Sequence, residues 1–203
     1  MIEFQEFPKI GRLSREMIVT EKIDGTSACV AIFTAIEAAE APKAPPAWWY
    51  HVDDLFVVPG SRTRWISPEA DNFGFAAWVC DNAAELVKLG HGRHFGEWWG
   101  QGIQRNYGLN DRRFSLFNVS RWGDESVRPA CCHVVPTLYR GLFLTESVTS
   151  VMDALWLEGS RAAPGFMNPE GVVIFHTQSG ALFKKTFDRD DAGKGREKMA
   201  EIG

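Results

Sequence analysis

Hydrophobic residues along the chain fall mostly into short runs in which apolar and polar positions alternate, a pattern typical of half-buried β-strands. β-Branched and aromatic residues are frequent in these runs, and Gly, Pro, Asp or Asn residues separate them. The pattern predicts eight strands, at residues 17–22, 28–36, 55–58, 94–99, 114–119, 133–139, 172–176 and 182–187.

Two segments between these runs favour α-helices, at residues 73–89 and 146–158. The residues at their ends are typical of helix caps: Asp71 or Asn72 before the first and Gly90 after it, Thr145 before the second and Gly159 after it. The sequence of residues 38–46, AAEAPKAPP, predicts an exposed loop. From Asp188 onwards, the mixed charges and two glycines predict a frayed surface segment or a short terminal helix. Because strands mostly follow strands, we expect an α+β fold with antiparallel sheets flanked by helices, rather than a doubly wound parallel fold.

The length of 203 residues is typical of one domain, or one and a half at most. Hydrophobic residues make up 45% and charged residues 24%, as in soluble globular proteins, which excludes a disordered or collagen-like chain. The formal net charge is −4, so any binding to nucleic acid requires a local basic patch. The eight Trp and fourteen Phe residues supply core packing and can also supply a pocket that stacks a planar base.

The sequence favours a cytoplasmic protein. Its most apolar run, residues 28–36, is far shorter than the roughly 20 residues that span a bilayer, and no basic segment followed by an apolar run opens the chain. The four cysteines lack C-x-x-C spacing, and adjacent Cys131 and Cys132 are a poor disulfide framework. The pair His91 and His94 favours a loop over a metal site.

The most informative segment is TEKIDGTS, residues 20–27, in which Lys22 ends one predicted strand and an Asp24-Gly25 turn leads to the next. The turn holds the lysine amine on a rigid element, close to a backbone bend that a phosphate can approach. A lysine that acts as a nucleophile must be neutral when it attacks. Taken alone, the K-x-D-G pattern is weak, because a hairpin with a solvated lysine has the same sequence.

Other segments strengthen this interpretation, because together they resemble the ordered motifs of the covalent nucleotidyltransferases, the superfamily of polynucleotide ligases and mRNA capping enzymes. The matching segments are spread over residues 21–185, about four-fifths of the chain: EKIDGT (21–26) resembles motif I, SRT (61–63) the arginine segment, FGEW (95–98) motif III, RFSLFNV (113–119) motif IIIa, PEGVVI (169–174) motif IV and LFKK (182–185) motif V. The strings EKIDGT and FGEWWGQGIQ (95–104) look most like the RNA ligase 2 group. The resemblance implies an ATP-grasp-like ligase adenylation (nucleotidyltransferase) domain at residues 1–187, followed by a short tail at 188–203.

The resemblance also implies the reaction and its catalytic residues. Lys22 attacks the α-phosphate of ATP, AMP moves to a 5′-phosphate end, and a 3′-hydroxyl displaces the AMP. Lys184 and Lys185 are the expected cations at the phosphates, and Glu170 is the expected ligand of Mg²⁺ or Mn²⁺.

The same resemblance assigns residues to the nucleotide. Asp24 and Gly25 belong to motif I, the Glu97 carboxylate accepts hydrogen bonds from the ribose, and Phe117 stacks on adenine. Glu21 is a candidate acceptor for the adenine amine. The alternatives are a packing role in the core for Phe117 and solvated positions at strand edges for Glu97 and Glu170. Arg62 is the expected contact to the ribose or phosphates, with Arg64 as its competitor. Two arginine segments, Arg112-Arg113 and Arg121-Trp122, are further candidate contacts to nucleic acid, although ordinary surface arginines explain them as well.

Three features depart from the family pattern. Lys184 and Lys185 are adjacent where the family has Lys-x-Lys, so a regular strand points them to opposite faces, and we favour Lys184 for the pocket with Thr186 in the second position. Asn118 follows Phe117 where the family carries Asp. Only 18 residues follow Lys185, so we expect no OB-fold or other C-terminal domain.

These observations favour an ATP-dependent RNA ligase that acts on RNA ends or nicked duplexes. We expect a monomer in the cytoplasm, which for a phage-encoded enzyme is the cytoplasm of the host. Whether a partner protein helps to hold the substrate stays an open question. The alternatives are a minimal DNA ligase, an enzyme that adenylylates ends, a GTP-dependent guanylyltransferase, and a degenerate module that binds nucleotides or RNA ends without catalysis.

Overall fold

The computed structural model of the protein describes residues 3–40, 46 and 49–188. The described residues form two compact units. The four-stranded unit comprises residues 3–22, 137–160 and 167–188, and the six-stranded unit comprises the described residues of 23–136 and 161–166.

The elements of both units follow in chain order. The strands are β1 (Glu16–Lys22), β2 (Thr26–Thr34), β3 (Tyr50–Val52), β4 (Leu55–Ser61), β5 (Gly92–Gly100), β6 (Arg112–Leu116), β7 (His133–Val134), β8 (Thr137–Leu142), β9 (Gly171–His176) and β10 (Leu182–Thr186). The helices are α1 (Ala35–Glu40), α2 (Phe75–Asp81), α3 (Ala83–Leu86), α4 (Val119–Trp122) and α5 (Thr145–Glu158), with short 3₁₀ turns at Pro68–Ala70 and Val87–Leu89.

In the four-stranded unit, the strands pair in the order β10-β9-β1-β8, and all three pairings are antiparallel. Side chains alternate between the two faces of a strand, so residues 17 and 19 of β1 and residues 172 and 174 of β9 point to one face. There they form a core with the buried residues of α5, which are Val148, Met152 and Leu155. One face of this sheet is therefore covered by a helix.

In the six-stranded unit, the strands pair in the order β3-β4-β2-β5-β6-β7. Every pairing is antiparallel except the short one between β6 and β7. Residues Val30 and Ile32 of β2 point into the main core, which α2 and α3 cover with Phe75, Val79 and Leu86. On the opposite side of β2, Cys29 and Ala31 form a small apolar cluster with Val58 and neighbouring aromatic rings. We call this second side, whose β5 residues are numbers 93, 95 and 97, the open face.

The α+β fold predicted from the hydrophobic pattern is confirmed, with corrections to individual strands. The predicted strand 28–36 ends at Thr34, where α1 begins, and the strand at Tyr50–Val52 is not among those predicted. The predicted strand 133–139 is two strands, because Pro136 lacks the backbone N–H that a continuous ladder needs. The predicted strand 114–119 stops at Leu116, because the Asn118 side chain accepts a hydrogen bond from the Arg121 N–H (3.1 Å) and caps α4.

The predicted helix 73–89 is wrong in its continuity. Phe73 and Gly74 both have positive φ angles (52° and 76°), so the helix begins only at Phe75, and Asn82 separates α2 from α3. The Asp71 carboxylate accepts the N–H groups of Ala76 (2.7 Å) and Ala77 (3.2 Å) at the start of α2. The second helix forms as predicted and ends before Gly159, although Leu144 rather than Thr145 occupies its N-cap position.

Part of the predicted loop at 38–46 and nearly all of the predicted tail lie outside the described residues, and residues 35–40 belong to α1. Across the described ranges, no helix is both long enough and apolar enough to cross a bilayer.

The buried His94 side chain predicts a pH dependence of stability. Its Nε2 lies 2.8 Å from the Gly90 carbonyl oxygen, its ring packs edge-on against Trp122, and burial, with a smaller effect of nearby Arg121, lowers its pKa below the usual range for histidine. Because the unfolded chain then binds the proton more readily than the folded chain, the free energy of unfolding should fall as the pH drops below about 6.5. Urea unfolding of the wild type and of His94→Gln, measured at neutral and mildly acidic pH, checks this. The variant should lose less stability on acidification than the wild type, and an equal loss would contradict the assignment.

Candidate active site

Lys22 forms an ion pair with Glu170 in the four-stranded unit. Lys22 is the last residue of β1 and pairs with Gly171, the first residue of β9, so the two strands bring it beside Glu170. Its Nζ atom lies 2.6 Å from Glu170 Oε2, and the two side chains are only 23% and 17% exposed. The backbone of Glu170 is itself held, because its carbonyl oxygen accepts the N–H of Phe187 (3.0 Å). The predicted nucleophile and the predicted metal ligand therefore lie in direct contact.

The strand register separates the two lysines of β10. Lys184 and Thr20 both lie opposite Val173 of β9, and Thr20 shares its face of the sheet with Lys22. Lys185 instead lies opposite Val172, on the face that α5 covers. The strand is regular here, so Lys184 is on the same sheet face as Lys22 and Lys185 is on the other. Thr186, opposite Gly171, shares the Lys22 face.

Glu21 lies on the face of β1 opposite to Lys22. Its side chain is 1% exposed, and its Oε1 accepts a hydrogen bond from Ser160 Oγ at 2.5 Å. A buried carboxylate is costly unless it is hydrogen-bonded, and the hydroxyl supplies part of that requirement. Contact between Glu21 and adenine stays a prediction.

In the six-stranded unit, the backbone of motif I contacts the motif III carboxylate. Gly25 N–H donates to Glu97 Oε1 at 3.1 Å. A Cβ atom at residue 25 would lie 2.5 Å from the Trp98 carbonyl oxygen, so only glycine allows the backbone to approach β5 this closely. The Glu97 carboxylate is thereby held on the open face, half-buried, beside the turn at Asp24-Gly25.

Asp24 has two partners that the sequence did not indicate. Its backbone N–H donates to the Tyr107 hydroxyl (2.8 Å), and its Oδ2 accepts from Arg105 Nε (3.1 Å). Tyr107 is buried against Trp99 and has a positive φ of 51°. Arg105 lies in the loop between β5 and β6, and no sequence signal connects it with residue 24, 81 positions away.

Phe117 extends the open face beyond the end of β6. Its N–H donates to the Phe95 carbonyl oxygen at 3.0 Å, which continues the β5–β6 ladder by one residue and puts Phe117 on the same face as Phe95 and Glu97. The Phe117 side chain is 43% exposed, so it is available to a ligand. This exposure argues against a purely packing role.

Arg62 and Arg64 both lie in the tight turn after β4, exposed, and both line a cavity of about 420 Å³ on the six-stranded unit. The structure therefore does not choose between them. The other candidate arginines have partners within the protein: Arg113 pairs with Asp111, Arg112 donates to two backbone carbonyls, and Arg121 stacks on Trp122.

The residues present fit a divalent metal that is bound mainly by substrate phosphates and water. In the part of the chain that the structure describes, no group of three or more His, Cys, Asp or Glu side chains forms a metal cage. Magnesium commonly uses one or two carboxylates together with phosphate oxygens, and the Glu170 carboxylate has a second oxygen besides the one that contacts Lys22. Glu170 can thus serve a metal and the lysine together.

Comparisons with known proteins bear on the fold and on the family. The chain is similar to solved structures of an RNA ligase from Naegleria gruberi: a variant with AMP and Mn (TM-score 0.58, 19% identity, 86% of this chain and 50% of that chain) and a variant with ATP and Mn (TM-score 0.57, 18% identity, 87% and 51%). The chain thus spans about half the length of these ligases and shares the fold of that part. A search of curated protein sequences found no match.

A family model described as RNA ligase matches residues 15–186 of the chain. The matched segment runs from the residue before β1 to the last residue of β10 and includes every candidate site residue. The chain therefore belongs to the RNA ligase family.

Proposed function

We propose that the protein is an ATP-dependent RNA ligase that forms a covalent lysyl-AMP intermediate on Lys22, transfers the AMP to a 5′-phosphate end of RNA and joins that end to a 3′-hydroxyl. The observation that carries the proposal is the contact between Lys22 and Glu170 at the paired ends of β1 and β9. Membership of the RNA ligase family supports the same reaction class. The Naegleria ligase structures with ATP or AMP and Mn support ATP as the AMP donor and Mg²⁺ or Mn²⁺ as the metal.

In the first step, the neutral Lys22 amine attacks the α-phosphorus of ATP. A phosphorus–nitrogen bond forms, the bond between the α-phosphorus and its bridging oxygen breaks, and pyrophosphate leaves. Glu170 Oε2, at 2.6 Å from the amine, is within reach to accept a proton from it. The same contact orients the amine before attack, and positioning contributes much of the rate in phosphoryl transfer.

Cations are needed where negative charge develops on the phosphates. Lys184 is the side chain of β10 that shares the sheet face of Lys22, and we assign it to this role. We assign Lys185, which lies on the opposite face, a supporting role that is smaller than that of Lys184. A bound Mg²⁺ or Mn²⁺ would neutralise further phosphate charge, and Glu170 would hold it.

For the nucleoside part of ATP we keep the residue assignments that the family resemblance implies. Glu97, held by the Gly25 N–H, would accept hydrogen bonds from the ribose hydroxyls, and exposed Phe117 would stack on adenine. Arg62 would contact the ribose or phosphates, and Asp24 would hold the motif I turn through its two partners. Glu21 would select adenine through its exocyclic amine only by giving up its hydrogen bond with Ser160, because its carboxylate is buried on the face of β1 opposite to Lys22.

In the second and third steps, the 5′-phosphate of the RNA displaces Lys22 from the AMP phosphorus, and the 3′-hydroxyl then displaces AMP to form a phosphodiester bond. We further propose that residues 1–187 act as one adenylylation module, that the protein works as a monomer in the cytoplasm, and that RNA ends or nicked duplexes are its substrates.

Lys22→Ala should abolish covalent labelling of the protein by ATP that carries the label on its α-phosphate, because no amine remains to form the phosphorus–nitrogen bond. The measurement is a denaturing gel after incubation with labelled ATP and Mg²⁺, with pyrophosphate treatment beforehand to remove any AMP acquired during expression. Lys22→Arg is the matched control, since it keeps the positive charge beside Glu170 but cannot act as the nucleophile, and it should be equally unlabelled.

Wild-type protein that stays unlabelled, or Lys22→Ala that is still labelled, would contradict the proposal. Absence of labelling with retained ATP binding would favour a nucleotide-binding module instead. Labelling by GTP as strong as by ATP would favour a guanylyltransferase. Labelled protein that seals DNA 3′-hydroxyl ends better than RNA ends would identify a DNA ligase.

The two lysines of β10 should differ sharply in the same assay. Lys184→Ala should slow labelling of Lys22 by about 100-fold or more, the usual effect of removing one group that stabilises a transition-state charge. Lys185→Ala removes the same charge from the neighbouring position on the opposite sheet face, so it should change the rate by no more than about twofold. Equal effects of the two substitutions, or a larger effect at residue 185, would show that the strand register does not determine the catalytic lysine.

A further inference from the structure

A basic and aromatic cavity lies on the six-stranded unit, outside the residues assigned to the Lys22 reaction except for Arg62. It has a volume of about 420 Å³. Its walls include three arginines and two partly exposed aromatic rings: Arg62, Arg64, Arg93, Trp65 and Phe95. Arg93, Phe95 and Glu97 occupy every second position of β5 and therefore point to the same side of the sheet. The cavity and Glu97, the candidate ribose-binding residue, thus both lie on the open face.

The turn that carries Arg62 is rigid. Ser61 N–H donates to the Arg64 carbonyl oxygen (2.7 Å), and Ser61 Oγ accepts the N–H groups of Thr63 (3.2 Å) and Arg64 (3.1 Å). Trp65 follows directly, and its ring lies over Gly60, where a Cβ atom would be 3.1 Å from the indole. The turn therefore fixes the backbone from which its two arginines project, and it fixes the position of the indole.

Arg93 is fixed by aromatic rings. Its guanidinium lies 5.4 Å from the centre of the Phe33 ring and 5.8 Å from that of Trp65. Among the described residues, none of the three arginines of the cavity forms an ion pair with a carboxylate. Burial raises the pKa of the Cys29 thiol, which also lines the cavity, to about 11, so this wall carries no negative charge at neutral pH.

We propose that this cavity binds a single-stranded segment of the RNA substrate, with a base stacked on Trp65 or Phe95 and the flanking phosphates on Arg64 and Arg93. The proposal rests on the proposed RNA ligase function and adds a substrate-gripping site to it. Trp65 is 36% exposed and Phe95 45%, so each offers surface for stacking.

The chemistry favours RNA over other ligands. Aromatic side chains for bases together with cations for the backbone are the usual combination in single-strand binding. The protein carries a net charge of −4, so attraction to a polyanion requires a concentrated patch of uncompensated arginines, which this cavity provides. The other arginines considered for this role, at positions 112, 113 and 121, are already engaged by protein partners.

The test measures the affinity of the protein for a 5′-phosphorylated single-stranded oligoribonucleotide with a 3′ fluorophore, by fluorescence anisotropy in EDTA so that no chemistry occurs. Trp65→Ala should weaken binding by about tenfold, and Trp65→Phe should restore most of it. Arg93→Ala should weaken binding and lower the slope of log affinity against log salt by about 0.7, the value for one phosphate contact to a single strand.

Two substitutions in the four-stranded unit serve as matched controls, Trp156→Ala for an exposed tryptophan and Arg140→Ala for an exposed arginine. Both should bind the RNA as the wild type does. Labelling of Lys22 by ATP, measured on every variant without RNA, should stay within about twofold of the wild type for Trp65→Ala and Arg93→Ala.

Unchanged RNA affinity in Trp65→Ala and Arg93→Ala, or an equal loss in the controls, would overturn the proposal. So would a parallel loss of Lys22 labelling in Trp65→Ala and Arg93→Ala, because the cavity would then belong to the ATP site. If the wild type is never labelled but Trp65→Ala still loses RNA affinity, the proposed ligase function fails while the RNA site stands.

Discussion

The alternation of side chains along β1 is the constraint on which the candidate site depends. Successive residues of a strand point to opposite faces, so buried Glu21 and the proposed nucleophile Lys22 must have different environments. Glu21 is held by Ser160 on one face, and Lys22 meets Glu170 on the other. A slip of one residue between β1 and β9 would exchange the two faces, remove Lys22 from Glu170 and place its charge against the core. The buried carboxylate and the apolar residues of β1 therefore fix the position of the Lys22 amine.

The six-stranded unit solves a different problem, which is to keep one face of a sheet available for ligands. Its helices cover the face with Val30 and Ile32, while a small apolar cluster stabilises only part of the other. The rest of that open face carries Glu97, Phe117 and the arginine cavity. The close approach of Gly25 to β5 holds the Asp24-Gly25 turn against this face through a backbone N–H that donates to Glu97.

Much of this organisation could be predicted from the sequence, because it follows from local rules. The period-two pattern gives most of the strands and the fold class, and alternation alone separates Lys184 from Lys185 before their partners are known. Gly159 ends α5 as its sequence predicts. The roles assigned through the family resemblance, such as those of Glu21 and Arg62, stay predictions.

What the sequence could not show depends on residues far apart in the chain or on backbone angles that propensity does not encode. The left-handed Phe73 and the interruption at Asn82 divide a segment that reads as one helix. The contact of Asp24 with Arg105 spans 81 residues. The cavity likewise unites a turn after β4 with side chains of β5, and only the pairing of both strands with β2 brings them together.

The central claim is that the amine of Lys22, held by Glu170, becomes the site of covalent AMP attachment. The most direct test is mass spectrometry of the intact protein after incubation with ATP and Mg²⁺, followed by peptide mapping of the modified residue. We expect a single AMP adduct on the peptide that contains Lys22, removed again by pyrophosphate. An adduct on any other residue, or no adduct while ATP is bound, would contradict the account.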